Sequence, residues 1–460
     1  MDITYASSRW FGYRRYTNFG TSQKSSRRHA LRIPPARDGT HTPVIHSLFF
    51  PFGGFVVSRA QFLGASAVGV LATAFHSSSS AYAQAPSRFY RADEQGITPD
   101  SLEPVNHRIN ELIDQLAQSG GGSILFPPGR YPVDSSGIVL KHQVSIMGVG
   151  DSTQFMPVGE WEELAGVFRI GEDTIPSKEP VYRTGLHQFS IKPGEDSYKH
   201  RQAIPNTVGI LYNTFNGDNP PDPDAAHRIS GITLWDLDMG IKLKGPDDQG
   251  CTVSQIRGRR FLRTALTVGD TNSPTAADNM FHMLDFSSAN LQRLDAAAIE
   301  VYTSNCSFSQ VKSWYSKRSM SFEESAKAGA GYYIKGTRNS FNQCDAQDNG
   351  GHGFVLSLGN NSLMNCIADS NGYAENISGE AQTSEAHGFH VERNATGTQL
   401  IGCQSFNRTR NDPGQSVGFW AHEGNTQVTI IGSAFANTTR ASQTGALETA
   451  QKTLIDPTTR

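Results

Sequence analysis

Gly331-Tyr332-Tyr333-Ile334, Gly353-Phe354-Val355-Leu356, Gly388-Phe389-His390-Val391 and Gly418-Phe419-Trp420-Ala421 are one phrase written four times. Looser copies precede it at Gly240-Ile241-Lys242-Leu243 and Ala298-Ile299-Glu300-Val301. The spacing is roughly 20 to 35 residues, the range of repeat architectures. A second phrase lies between the copies: Phe341-Asn342-Gln343-Cys344, Leu363-Met364-Asn365-Cys366 and Leu400-Ile401-Gly402-Cys403. An asparagine then closes each unit, at Asn349, Asn371, Asn407 and Asn437. One unit is too short to bury an apolar face alone. Units stacked at the strand spacing of about 4.8 Å would share one continuous core, like above like. In that register Cys344, Cys366 and Cys403 form an interior column, continued upstream by Val311 and Ile256. The asparagines form a turn ladder whose amides bond along the stack.

Upstream, Val105, Ile109, Leu112, Ile113 and Leu116 recur at helical spacing over 104–118, and Gly120-Gly121-Gly122 ends the helix. Short strands follow in Gly121-Gly122-Ser123-Ile124-Leu125-Phe126-Pro127-Pro128-Gly129-Arg130-Tyr131-Pro132-Val133, then in Ile138-Val139-Leu140 and Val144-Ser145-Ile146-Met147-Gly148-Val149-Gly150. This stretch and its Gly-Val-Gly-Asp-Ser-Thr sequel resemble the opening rungs of the pectate-lyase-like superfamily, nearest its rhamnogalacturonase and epimerase-like group. The motif spans about 45 residues, and the later repeats agree in style. The Asp-Gly-x-x-Asp-Asp segment usual before that helix is replaced by Gln95-Gly96-Ile97-Thr98-Pro99-Asp100. The resemblance implies a carbohydrate-active protein and transfers no catalytic residue. The expected fold is all-β, a single-stranded right-handed parallel β-helix with an N-terminal capping helix. The divisions are a leader over 1–85, a cap over 86–122, the β-helix over 123–440 and a polar tail or C-terminal cap over 441–460.

The leader reading rests on composition. The first 85 residues hold nine Lys or Arg against Asp2 and Asp38. Ala60 to Phe75 is uncharged and mostly apolar, and Ala81-Tyr82-Ala83-Gln84-Ala85 offers small residues at signal-peptidase spacing. Sixteen such residues fall short of the roughly 20 a membrane span needs. A secreted or periplasmic protein is expected, not an integral membrane protein once processed. The whole chain's 40 basic and 43 acidic residues become 31 and 41 without the leader, a net of −10. Nucleic acid is therefore excluded as a partner, since it needs a basic surface. Five cysteines without a CxxC pair give no metal framework, and the repeat already accounts for three as core residues.

Strand alternation places the residues beside the inward aromatics on the outer surface. That stripe reads Lys242, Lys244, Glu300, Tyr302, Tyr333, Lys335, Val355, Ser357, His390, Glu392, Trp420 and His422. Long insertions, Lys317 to Gly329, Gly372 to Ala386 and Arg408 to Ser416, fall at one corner of the coil, while Asn349-Gly350-Gly351-His352 has almost none. They would wall a notch floored by Tyr333, Lys335, Ser357, His390 and Glu392, with His352 and His387 at its lip. The expected catalytic set is Glu392 as acid or base with His390, His422 and Lys335. The expected substrate contacts are Tyr333, Trp420, Ser357, Glu300, His352 and His387. A plain solvated face, or a purely structural His352–His387 stack, explains the same residues. Glu300 and Glu392, three rungs or roughly 14 Å apart, are too distant for a hydrolase pair, which needs roughly 5 to 9.5 Å. Hydrolysis and elimination both stay open, with a non-catalytic glycan binder and an epimerase or intramolecular transferase as alternatives. No cofactor or metal is expected, calcium being the lesser alternative because no dense carboxylate cluster is visible. A polysaccharide is the expected partner, bound by a monomer or homotrimer.

Overall fold

The computed structural model describes residues 88–454 except 195–201, 215–226, 247, 273, 379–384, 409–413, 424–426, 436, 438–439 and 445–451. The leader reading of 1–85 lies outside the described residues, and so do most of 441–460. The chain winds into a coil. One flank is an eleven-stranded sheet whose strands follow one another in chain order from Ile138–Val139 to Arg440–Thr444. The other is a seventeen-stranded sheet. Every strand pairing among the described residues is parallel, as a coil that never reverses requires. The helix expected over 104–118 forms at Asn106–Gln118 and buries Ile109, Leu112, Ile113 and Leu116 over the first rungs.

The stacking reading holds residue by residue. In the narrower sheet Tyr332, Phe354, Phe389 and Phe419 are in register and point inward, their rings stacked at 4.4, 5.0 and 5.0 Å. In the broader sheet Phe281, Phe308 and Phe341 stack at 4.6 Å per step. Cys344, Cys366 and Cys403 lie fully buried, and all five cysteines are free thiols.

Each rung also turns on a residue the repeat did not reveal. Gln255, Met283 and Gln310 in mid-strand, and Gln343 and Asn365 in the breaks between short strands, have φ between 52° and 56°, and Gly402 continues the column at 69°. One left-handed residue per rung bends the broader sheet without breaking its pairing on either side. The residues that tolerate this conformation best, Gly and Asn, stand at Gly231, Asn365 and Gly402 of the column, and the bulkier Gln and Met fill the rungs between Gly231 and Asn365.

The asparagine ladder is real but has a different third member. The Asn349 amide donates to Asn371 Oδ1 at 2.9 Å, and Asn371 donates to Gln415 Oε1 at 3.1 Å. Asn407, expected as the next step, instead holds the Gln415 main chain through two bonds of 3.0 Å. The insertion after Arg408 brings Gln415 back into the column, so the loop supplies its own rung. A second ladder runs at the opposite corner. There Asn279, Asn339 and Asn361 accept from the main-chain amides of Cys251, Cys306 and Asn339.

Asn371→Ala should lower stability by roughly 1–3 kcal/mol, because it orphans two buried amides; denaturant unfolding checks it, with exposed Gln399→Ala near neutral. A thiol reagent should label none of the five cysteines of native protein and all five after denaturation.

Candidate active-site cleft

The register sets the outer face of the narrower sheet as firmly as its core. Lys242, Thr267, Glu300, Tyr333, Val355, His390 and Trp420 stand in one column, strand after strand. Lys335, Ser357, Glu392 and His422 follow two positions on. Each of these four is tied by its amide to the preceding strand.

The column is not uniformly open to water. Val355, expected to face solvent, is fully buried. It packs with Ala297, Ala330, Ala326 and Tyr333. Its cover is the insertion 317–329, which folds back over the sheet. Arg318 organises that insertion from inside: fully buried, its guanidinium donates to the carbonyls of Ala328, Ser321 and Ser325 and lies 3.8 Å over the Phe322 ring. Burial pulls its pKa down to about 10. The short rung at 349–352 is therefore roofed by the loop of its predecessor, which the sequence did not disclose.

Beside this roof opens a cleft of about 300 Å³ lined by Thr271, Asp295, Tyr302, Ser325, Ala326, Lys327, Tyr333, Lys335 and Glu392. It gathers side chains from separate rungs and from the insertion. Tyr333, Lys335 and Glu392, expected on the notch floor, meet here. Ser357 supports them, donating to Glu392 Oε2 at 2.7 Å. Glu300 lies behind the wall: 6% exposed, it accepts from the Ala297 amide at 3.0 Å and the Tyr302 hydroxyl at 2.7 Å. It is thus a fixed buried charge, not the substrate contact expected of it. Lys327, which the sequence reading passed over, stands 3.8 Å from Glu300, 3.7 Å from Asp295 and 5.6 Å over the Tyr333 ring. Its only signal was membership of the insertion.

Burial raises the Tyr333 pKa above its ordinary value. The charges of Glu392, Glu300 and Asp295 push the same way, and the Ser357 hydrogen bond opposes them. The phenol is protonated at neutral pH. Tyr302 is raised further, by burial and then by Glu300.

The three histidines assemble elsewhere. His387 Nδ1 and His390 Nδ1 are 2.8 Å apart, with ring centroids at 5.0 Å and planes 11° apart. Those values fit only two rings lying edge to edge with an N–H···N bond in their common plane. His352 covers one face of the pair at 4.8 and 4.4 Å, and Trp420 the other at 5.3 and 4.2 Å. His352, expected at the lip, is 1% exposed, and its Nδ1 accepts the His387 amide at 2.8 Å. The structural stack left open above is what these rings form. Trp420 therefore offers a ligand its edge, not the face turned toward His390. His422 stands edge-on to that indole at 6.0 Å.

His352, His387 and His390 each bring one ring nitrogen within 4.8 Å of the others, a spacing at which three imidazoles can hold a metal. Here two of the lone-pair sites face each other across a hydrogen bond and do not converge on a third point. A larger hollow of about 770 Å³ lies between the capping helix and 169–181. Among its lining charges Lys141 pairs with Asp114 and Arg169 with Glu172. No residue of the expected catalytic set lines it.

The comparisons agree with this architecture. Residues 240–435 match the family model described as the right handed beta helix region. The A-modules of the mannuronan C-5 epimerases AlgE4 and AlgE6 of Azotobacter vinelandii superpose with TM-scores of 0.50 at 13% identity. They cover 80% and 81% of this chain and 98% and 100% of those modules. The chain is a right-handed parallel β-helix protein. In sequence it is 23% identical to the A. vinelandii mannuronan C5-epimerase AlgE6 over 149 residues, 31% of this β-helix chain and only 15% of that relative. No helix among the described residues is long and apolar enough to cross a membrane.

Burial holds His352 and His390 well below the ordinary imidazole pKa and His387 down to about 4. The unfolded chain then binds protons that the fold refuses between about pH 6.5 and 4. Stability should be full above pH 6.5 and fall as pH drops through that window. Denaturant midpoints across it check this, and His387→Gln should flatten the slope.

Proposed function

We propose that this β-helix is an exported enzyme that processes a uronate-containing polysaccharide, removing the proton on the carbon next to the uronate carboxylate. The observation that carries the reading is the meeting of Lys327, Tyr333, Lys335 and Glu392 in one cleft on the rigid face of the coil. Proton removal beside a carboxylate builds negative charge on that carboxylate, and fixed cations lower its cost. Lys335 and Lys327 supply such cations. Glu392, oriented by Ser357, takes the role of base, and protonated Tyr333 donates to the opposite side of the sugar or to the departing oxygen. No cofactor is needed for this sequence of transfers. Protonation back on carbon gives an epimer, whereas loss of the glycosidic oxygen gives an unsaturated uronate.

The likeness to mannuronan epimerases supports the substrate class and favours epimerisation between these outcomes. Hydrolysis is the weaker alternative, because Glu300 is buried and committed to Tyr302 and Ala297, and Asp295, the other carboxylate beside Glu392, is engaged by the Ser325 hydroxyl and Lys327.

Incubation with mannuronan and other uronans in deuterated water should place deuterium at C5, read by proton NMR, with or without unsaturated ends absorbing in the ultraviolet. New reducing ends without either signal would establish hydrolysis and overturn the reading; binding without turnover would leave a glycan-binding protein. Glu392→Gln should lower turnover by roughly 10²–10⁴ while unfolding at the wild-type midpoint.

A further inference from the structure

The broader sheet carries a second hollow, of about 300 Å³, lined by Tyr315, Asp348, Ser370, Tyr373, Asn407, Arg408 and Gly414. None of these residues borders the cleft on the narrower sheet. Its walls are aromatic: Tyr315 and Tyr373 stand 6.4 Å apart at 51°, and Trp314 extends the surface 5.0 Å from Tyr315. Tyr315 occupies the left-handed bend, φ 60°, that closes the strand. At the matching bends the chain uses Asp236, Arg260, Ser288, Asp348 and Ser370, with φ between 51° and 64°. Only this rung of the six sets an aromatic ring there, where a bulky side chain is rare.

The polar floor is built, not incidental. Asp348, 2% exposed, accepts from Gln347 Nε2 at 3.0 Å and is paired with Arg408. Arg408 Nε also lies 3.2 Å from Asp369, which the Ser370 hydroxyl holds at 2.7 Å. One guanidinium is thus shared by two carboxylates, and the local charge is negative. Two carboxylates already claim the one guanidinium, so a uronate would meet uncompensated negative charge here, whereas the cleft matches its two lining carboxylates, Asp295 and Glu392, with two lysines. A pyranose without charge fits both features: its C–H face lies on aromatic rings, and its hydroxyls exchange bonds with carboxylate and guanidinium groups.

We propose that this hollow is a second saccharide site, selective for uncharged pyranose rings and separate from the cleft that does chemistry. It takes only its ligand class from the carbohydrate reading above, and its test needs no turnover. It makes the protein a two-site binder, which holds neutral stretches of a heteropolysaccharide on one flank while uronates are processed on another.

The probes are gluco-, manno- and galacto-hexaoses, titrated against the full chain by saturation-transfer NMR and calorimetry. At least one should bind wild type, and Tyr315→Ala and Tyr373→Ala should each weaken it roughly threefold to tenfold, the worth of one aromatic contact. Glu392→Gln should bind it unchanged. No binding by wild type, or binding that both tyrosine variants retain in full, overturns the site. Loss of neutral-sugar binding in Glu392→Gln moves it to the main cleft and also overturns it. Failure of the uronan assay touches none of the binding readouts, which alone decide the site.

Discussion

The structure depends on one constraint: each rung hydrogen-bonds in parallel register to the next, so equivalent residues must lie above one another. A three-residue strand buries too little by itself to repay the entropy of ordering it. Only the stack does so, by giving inward side chains buried neighbours from the rungs above and below. The same constraint acts on the outer face, where it turns residues scattered over a hundred positions into columns. Tyr333 and Lys335 come from one rung, Glu392 from a rung two strands on, and Lys327 from the insertion leading into the first. The site is a product of register, not of local sequence.

That dependence explains what the sequence disclosed. Inward and outward positions, the cysteine column and the capping helix follow from periodicity and were legible. Tyr333, Lys335, Ser357 and Glu392 were legible as neighbours for the same reason. The direction in which an insertion folds has no period. Whether 317–329 would stand as a wall or lie down as a roof was decided by Arg318, whose buried guanidinium gathers three carbonyls of its own loop. That choice buries Val355, brings Lys327 beside Tyr333, and could not be read from spacing.

The histidines teach a related lesson. His352 and His387 share a His-Gly-Phe tripeptide, and at a surface such a pair invites a functional reading. In the coil, repetition alone brings them face to face, and Trp420 from the next rung closes the sandwich. Burial then keeps all three rings neutral, so they pack as aromatic plates. Charged groups collect instead where the stack is interrupted, at the edge of the roofing loop, and the proposed chemistry is placed there because they can reach both solvent and one another.

The most direct test of this account is a crystal structure of the Glu392→Gln variant with a saturated uronan oligosaccharide. The account predicts sugar density in the cleft under the 317–329 loop, with one uronate carboxylate at ion-pair distance from Lys335 and the Tyr333 hydroxyl facing the adjacent carbon. An oligosaccharide bound along another face, or Lys335 and residue 392 opening onto different surfaces, would contradict it.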